Sequence, residues 1–242
     1  MHYPVDMPRQ MTRSLRFPFT RALVSGATVV MALALVSGCA SNKDQLPRHY
    51  EDPEHMIKVF ETPERDAWAK PDQVVRALQI ENQEAVVADI GAGSGYFTRR
   101  IALEAPAGKV YAVDVDDKFK TYIETNRESW GTPNIEPHLA FYDDPALPER
   151  AIDLIFMSNT YAFLRDRVPY LIKLREALAP GGQLAVINFK PAAQVPGDAA
   201  PDPAYRVPRD TALSELTEAG FVLEREENFL EHQYFLILRV GP

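Results

Sequence analysis

The chain has 242 residues, with 34 acidic and 26 basic side chains and a formal net charge of −8 at pH 7. An acidic surface repels phosphate backbones, so this balance argues against a nucleic-acid-binding protein, and we expect no DNA or RNA partner. The single cysteine excludes a disulfide framework, and the five histidines do not pair with cysteines or acids at metal-ligand spacing. The sequence therefore predicts one globular domain without a metal site.

The N-terminal segment has the pattern of a secretory signal. Three arginines, Arg13, Arg16 and Arg21, precede an uncharged stretch at residues 22–38 that ends in small residues. The stretch is short for a membrane-spanning helix, which needs about 20 residues. It ends in Leu35-Val36-Ser37-Gly38-Cys39-Ala40, which resembles the lipobox of bacterial lipoproteins.

This resemblance implies that residues 1–38 are a signal peptide and that Cys39 becomes the lipidated N-terminus, a membrane anchor. Residues 39–59 would then be the lipidated cysteine and a flexible tether, and residues 60–242 the folded domain. Ala40 follows the cysteine instead of an aspartate. By the sorting pattern of Gram-negative lipoproteins, this favours the periplasmic face of the outer membrane. The alternative is an uncleaved N-terminal anchor with an incidental cysteine.

A glycine-rich turn between two ordered elements is the most informative feature of the chain. A helix is predicted over residues 71–80, with Asp72 as its N-cap. An apolar strand, Val86–Ile90, follows it, and then three glycines at alternate positions within residues 91–95. The next helix is predicted over residues 96–104. Glycines let the backbone approach a ligand, and the change from strand to helix places that ligand at the carboxyl edge of a parallel sheet.

A second buried strand, Lys109–Asp114, ends in a carboxylate. The dinucleotide-binding fingerprint has its third glycine one residue later than Gly95, and the phosphate-binding loop has a lysine that is missing here. Asp89 precedes the first glycine, where a pyrophosphate would gain nothing from negative charge. The loop therefore suits a ligand that carries a cationic amine and no phosphate.

The segment Asp89-Ile90-Gly91-Ala92-Gly93-Ser94-Gly95 resembles the first motif of the class I S-adenosylmethionine-dependent methyltransferases, and Asp114 resembles the acid that holds the ribose hydroxyls. The resemblance implies S-adenosylmethionine as cofactor, with Asp89 near its methionine end and the loop backbone along the methionine and ribose. A carboxylate at a strand end can accept two hydroxyl donors. The cofactor-binding candidates here are Asp89, Gly91, Ala92, Gly93, Gly95, Asp114 and Val115.

The rest of the chain alternates as a doubly wound α/β domain should. Helices are predicted over residues 117–128, 167–178 and 210–219, and strands over residues 135–139, 152–157, 184–189, 221–226 and 234–240. We expect residues 180–182 to stop the second of these helices. The last two strands have no room for a helix between them and must be antiparallel. A mostly parallel seven-stranded sheet with a C-terminal antiparallel hairpin is the Rossmann-like methyltransferase fold, so the resemblance covers residues 60–242.

Further site candidates follow from the same resemblance. In similar methyltransferases the loop at residues 141–148 carries an acid beside the adenine amino group, and Asp143 and Asp144 both qualify. Asn159, at the end of a strand, is another cofactor-binding candidate. This class shares no fixed catalytic residue, and the candidates for a proton acceptor are Asp143 and Tyr161.

Residues 65–68, with the sequence Arg-Asp-Ala-Trp, resemble a segment of the same group of proteins. The segment either forms a lid over the site or uses Trp68 to pack the first predicted helix onto the sheet. We expect the packing role.

Three functions are compatible with the sequence. The first is methyl transfer to an unidentified small-molecule acceptor, with a lipid or another envelope component as a second kind of acceptor. The others are a non-catalytic protein that binds a nucleoside or an S-adenosylmethionine-like molecule, and a structural envelope lipoprotein on the same fold. The intact motif favours the enzyme. S-adenosylmethionine is made in the cytoplasm, however, whereas a lipidated domain would lie outside it. The sequence does not determine the oligomeric state.

Overall fold

The computed structural model describes residues 52–194 and 200–242. The chain divides into two units, Met1–Ala40 and Ser41–Pro242, and the described residues belong to the second. The predicted signal peptide, the lipidation site Cys39 and most of the predicted tether lie outside the described residues. Among the helices that the structure describes, none has the length and apolar character needed to cross a membrane.

Strands and helices alternate along most of the described chain. The strands are β1 (Val86–Ile90), β2 (Lys109–Asp114), β3 (Ile135–Leu139), β4 (Ile152–Ser158), β5 (Leu178–Phe189), β6 (Phe221–Glu227) and β7 (Gln233–Val240). The α-helices are α1 (Pro53–Phe60), α2 (Glu64–Ala69), α3 (Pro71–Ala77), α4 (Thr98–Glu104), α5 (Asp117–Asn126), α6 (Arg167–Ala177) and α7 (Arg209–Glu218). Two short 3-10 helices span Tyr161–Phe163 and Pro203–Tyr205.

The strands form one sheet in the order β3-β2-β1-β4-β5-β7-β6. β1 pairs in parallel with β2 and with β4, so Val87 lies between Val110 and Leu154. β7 runs antiparallel to both β5 and β6. The short connection between β6 and β7 requires this reversal, because a parallel neighbour would need a longer crossover. The predicted fold, a mostly parallel seven-stranded sheet with a C-terminal antiparallel hairpin, is confirmed.

Helices cover both faces of the sheet, because successive strand residues point to opposite faces. In β1, Val87 belongs to the apolar layer that includes α3, α4 and α5, whereas Ala88 and Ile90 belong to the layer that includes α6 and α7. All three residues are buried. By the same alternation, Asp89 points to the α4 side of the sheet, where the glycine loop continues into a helix.

The start of α3 differs from the prediction. Asp72 is not the N-cap, because Lys70 holds that position with a left-handed backbone (φ 45°). The Lys70 carbonyl accepts hydrogen bonds from the amides of Gln73 and Val74. Pro71 occupies the first helical position, where its fixed φ suits the helix and its missing N–H costs nothing. Proline therefore decides the start of the helix, and Asp72 lies in its first turn.

The boundary between α6 and β5 also differs from the prediction. The helix ends at Ala177 and the strand begins at Leu178, well before residue 184. Residues 180–182, which we expected to stop the helix, lie within the strand. The pairing between β4 and β5 is irregular between Ile152 and Leu154, and Gly181 has a positive φ of 85°. A bulge of this kind lets a strand continue through residues that would otherwise break it.

The folded part of the chain begins before residue 60, where the sequence analysis placed the start of the domain. The side chain of Asp52 accepts a hydrogen bond from the His55 amide at 3.0 Å and caps α1. Pro53 occupies the first turn. Both features are common helix-start signals. Met56 is buried and α1 packs against α5, so this helix is part of the domain.

Candidate functional site

The glycine loop lies at the carboxyl end of β1 and is tied to β2. The amides of Gly91 and Ala92 donate to the Val113 carbonyl at 2.8 and 3.0 Å, and the Gly95 amide donates to the Ala92 carbonyl at 2.9 Å. The three glycines have φ values of 73°, 55° and 77°, which side chains rarely tolerate. The loop thus presents bare backbone at the edge where open α/β sheets bind ligands.

Two neighbouring side chains approach the loop so closely that larger residues would not fit. A Cβ atom at Gly91 would lie 2.1 Å from the Thr160 Oγ1 atom, just after β4. A Cβ atom at Gly93 would lie 3.1 Å from the Phe60 ring, at the end of α1. The glycines therefore serve the packing of the edge as well as its backbone conformation.

The Asp114 carboxylate lies at the end of β2, beside the loop. It accepts hydrogen bonds from the Gly93 amide at 2.9 Å and from the Asp116 amide at 3.1 Å. Burial raises the pKa of this carboxyl to about 6, although the backbone donors oppose the shift. Each carboxylate oxygen retains acceptor capacity. Val115, the next residue, is exposed and offers an apolar contact beside it.

Asp89 is a second acid at the same edge, and its side chain is only 3% exposed. Its carboxyl accepts a hydrogen bond from the Thr98 hydroxyl at 2.6 Å. The pKa of Asp89 is raised to about 7, first by burial and also by the charge of Asp114, whereas the Thr98 hydrogen bond and Arg65 oppose the shift. A cationic ligand would favour the ionised form of this group, because an opposite charge nearby lowers a carboxyl pKa.

The connection between α1 and α2 lies over the glycine loop. The Glu61 carboxylate accepts hydrogen bonds from the Ser94 hydroxyl at 2.6 Å and from the Arg99 guanidinium at 3.0 and 2.7 Å. With the Phe60 ring against Gly93, this connection covers the loop on the side of α4. The sequence analysis missed both residues, because they fall at the predicted domain boundary. The Asp52-Pro53 helix start could have revealed them.

Residues 65–68 pack against the sheet, as expected, and also contact the residue that follows the glycine loop. Trp68 is buried, and its ring centroid lies 5.6 Å from that of Phe189 in β5. Asp66 accepts a hydrogen bond from the Tyr96 hydroxyl, directly after the glycine loop. Trp68 therefore packs α2 onto the sheet, while the same helix contacts the loop region.

The loop after β3 places Asp143 and Asp144 differently. The Ala140 amide donates to the Asp114 carbonyl at 2.8 Å, so this loop starts beside the end of β2. Asp144 accepts hydrogen bonds from Lys173 and from the Ala146 amide, both at 2.8 Å, and these bonds lower its pKa. The side chain of Asp143 is exposed. Asp144 therefore serves the turn, and Asp143 is the more accessible carboxylate.

Two candidate site residues, Asn159 and Tyr161, follow β4 and lie in different surroundings. Asn159 has a positive φ of 60°, and its side-chain oxygen accepts a hydrogen bond from Gln233 at 2.8 Å. Tyr161 is fully buried in the α6 and α7 layer, and its hydroxyl donates to Glu215 at 2.8 Å. Burial and the Glu215 charge raise the pKa of Tyr161. This placement favours Asp143 over Tyr161 as the candidate proton acceptor.

Residues 88–184, which run from β1 into β5, match the family model described as a methyltransferase domain. The match contains the glycine loop and both acids. This part of the chain is therefore similar to a methyltransferase domain.

Two curated methyltransferases are similar in sequence to this chain over part of their length. The trans-aconitate 2-methyltransferase of Methylobacterium radiotolerans is 35% identical over 129 residues, which are 52% of this chain and 43% of that protein. The tRNA U34 carboxymethyltransferase of Pseudoalteromonas translucida is 33% identical over 133 residues, 54% of this chain and 39% of that protein. The chain thus spans less than half the length of these curated relatives.

A solved structure shows the same fold over most of both chains. A SAM-dependent methyltransferase from Aquifex aeolicus superposes with a TM-score of 0.72 at 24% identity, covering 78% of this chain and 98% of that chain. The Rossmann-like fold is therefore the one expected from the sequence.

We expect Gly91→Ala to destabilise the methyltransferase domain more than Gly131→Ala. Both glycines have a φ of 73°, but a Cβ atom at Gly131 would meet nothing within 4 Å. Gly131→Ala should therefore cost only the backbone strain, about 1–2 kcal/mol. Gly91→Ala adds a clash with Thr160 and should cost about 1–3 kcal/mol more in the free energy of unfolding, measured with denaturant.

Thr160→Ala in the Gly91→Ala background removes the Thr160 Oγ1 and Cγ2 atoms and should recover part of the loss. Equal costs for the two glycine variants would show that the close approach of Thr160 is not what requires a glycine.

Proposed function

We propose that this protein is an S-adenosylmethionine-dependent methyltransferase. One observation carries the proposal. Two largely buried carboxyl groups, Asp89 and Asp114, end neighbouring parallel strands on either side of a loop of bare glycine backbone. An adenosine joined to an amino acid has the groups to match, since a ribose offers hydroxyl donors and an amino acid offers an ammonium.

The residues present fit this cofactor. When bound, it supplies an electrophilic methyl group on a sulfonium sulfur. Asp114 would accept the ribose hydroxyls with the oxygens that already hold Gly93 and Asp116. Asp89 would bind the ammonium.

Val115 and Asp143, both exposed at this edge, would contact the adenine base and its amino group. Asn159 would contribute its amide nitrogen, because its oxygen already accepts from Gln233.

The chain's own contribution to the reaction would be chiefly positional. Holding two reactants in line converts a bimolecular step into a unimolecular one, which can supply a large part of the barrier reduction. The loop backbone would orient one reactant, and the α1–α2 connection would limit the access of water. Asp143 stays the candidate for a proton acceptor, because Tyr161 faces the opposite layer.

We propose a small molecule as the acceptor. The two curated relatives are named for a small organic acid and for a tRNA, so they do not agree on an acceptor class. The net charge of −8 favours the small molecule, because an acidic protein repels a polynucleotide.

We also propose that the protein is anchored by a lipid on Cys39, at the periplasmic face of the outer membrane. The support is the sequence pattern alone: a basic flank, a short apolar stretch and a single cysteine in a lipobox-like context. In this location the enzyme would depend on a supply of S-adenosylmethionine from outside the cytoplasm.

Lipidation predicts that Cys39→Ser abolishes labelling of the protein by radioactive palmitate in a Gram-negative host. Ala40→Asp is the matched control: it should keep the label but move the protein to the inner-membrane fraction. A wild-type chain that takes up no label would instead support an uncleaved anchor with an incidental cysteine.

Cofactor binding is tested by isothermal titration of S-adenosylhomocysteine into the full-length chain in detergent. We expect micromolar affinity in the wild type and a loss of roughly 10- to 100-fold in Asp114→Ala, because charge-assisted hydrogen bonds to the ribose disappear. Asp117→Ala, which removes an exposed acid from the start of α5, is the control and should bind normally. A wild-type chain that binds neither S-adenosylhomocysteine nor S-adenosylmethionine would refute the enzyme and leave an envelope lipoprotein on this fold.

The affinity for S-adenosylhomocysteine should also rise with pH up to about neutrality. Below its pKa of about 7, Asp89 is protonated in the free protein and no longer attracts an ammonium. Each pH unit below that value should therefore weaken binding by up to about tenfold. Asp114 has a pKa of about 6 and titrates nearby. Asp89→Asn retains Asp114 and should flatten the profile between pH 6 and 8. An unchanged slope in this variant would assign the titration to another group.

A further inference from the structure

Arg65 is a buried cation beside the glycine loop. It is 8% exposed, and its guanidinium lies 3.9 Å from the centroid of the Tyr96 ring. The rings of Phe60, Trp68 and Phe97 surround it at 5.4 to 6.0 Å. Burial lowers the pKa of Arg65 to about 10, so the group remains charged at neutral pH. A buried charge is costly unless a charged or polar partner compensates for it.

Within the described residues, hydrogen bonds compensate only in part for the burial of the Arg65 charge. Its Nη1 donates to the Phe60 carbonyl at 3.0 Å, whereas its Nε has no hydrogen-bond partner within residues 52–194 and 200–242. Two acids close to it in the sequence, Glu61 and Asp66, have other partners. Glu61 binds Ser94 and Arg99, and Asp66 binds Tyr96 and Arg100. A guanidinium can bind a carboxylate with two parallel hydrogen bonds, and such a partner would satisfy the Nε atom.

The position of Arg65 identifies the kind of carboxylate. Arg65 and Asp89 interact electrostatically, each shifting the pKa of the other toward the charged form. Arg65 packs on the Tyr96 and Phe97 rings, and Asp89 accepts from Thr98, the next residue, so both groups lie at the start of α4. A cation and an anion in the same region match the ammonium and carboxylate that an amino acid carries on one carbon atom. A carboxylate without a neighbouring ammonium would satisfy Arg65 but not Asp89. The pair therefore favours the amino-acid end of the cofactor over an acidic acceptor.

We infer that Arg65 binds the carboxylate of the amino-acid end of S-adenosylmethionine, while Asp89 binds its ammonium. The inference rests on the proposed function and assigns to α2 a direct part in cofactor selection. Arg65 is the partner that recognises the carboxylate, and the aromatic rings around it hold the guanidinium in place. The protein should therefore discriminate against adenosyl compounds that lack a carboxylate.

The test compares S-adenosylmethionine with its decarboxylated form by isothermal titration into the full-length chain in detergent. The two ligands differ only in the carboxylate. We expect the wild type to bind S-adenosylmethionine roughly 10- to 100-fold more tightly. Arg65→Met removes the charge but keeps an unbranched side chain, and should bring the affinity ratio close to one. Arg65→Lys keeps the charge and should retain part of the preference.

Arg100→Met is the matched control. The Arg100 guanidinium lies 4.3 Å from the centroid of the same Tyr96 ring but is only partly buried, at 21% exposure of the side chain. This variant should keep the wild-type affinity ratio. Circular dichroism verifies that each variant is folded, and Arg65→Lys carries the test if Arg65→Met is not.

Two results would overturn the inference while leaving the proposed function intact. In the first, the Arg65 variants weaken both ligands by the same factor, which indicates a purely structural role. In the second, the affinity ratio stays at its wild-type value. Failure of the wild type to bind S-adenosylmethionine at all would refute the proposed function and the inference together.

Discussion

The carboxyl edge of the sheet depends on one set of hydrogen bonds between the loop after β1 and the end of β2. The Val113 carbonyl holds the amides of Gly91 and Ala92, and the Asp114 carboxylate holds the amide of Gly93. These bonds fix the loop in a left-handed conformation that only glycine adopts without strain. Thr160 and Phe60 then pack against the bare backbone. A ligand that follows the loop would share this space with the end of α1, so its binding would depend on the position of α1.

The same edge concentrates ionisable groups that are largely withdrawn from water. Burial raises the pKa of Asp89 to about 7 and that of Asp114 to about 6, and it lowers that of Arg65 to about 10. Each shift reflects the free-energy cost of keeping the charged form in a poorly solvated place. Such groups cluster at functional sites, where a ligand of complementary charge offsets the cost. A zwitterionic amino acid attached to a ribose complements all three groups at once.

The opposite face of the sheet contains a polar cluster with a different role. Glu215 in α7 accepts hydrogen bonds from Tyr161 at 2.8 Å and from Arg167 at 2.7 and 2.8 Å. The cluster joins the end of β4, α6 and α7. These three groups form hydrogen bonds with one another, so the cluster stabilises the packing of this layer. Asp89 and Arg65, in contrast, retain unused hydrogen-bonding capacity. This contrast, more than residue type, separates the site from the scaffold.

The sequence by itself determined the strand–loop–helix unit, the strand-end acids Asp89 and Asp114, and the antiparallel hairpin. Local spacing and connection length encode these features directly, so no distant residue is needed to predict them. Only the tertiary structure decided that Tyr161 faces α7, that Asp144 pairs with Lys173, and that Arg65 is buried among aromatic rings. These properties depend on partners far apart in the chain. Burial and pairing arise from long-range packing, which a local pattern of residues does not specify.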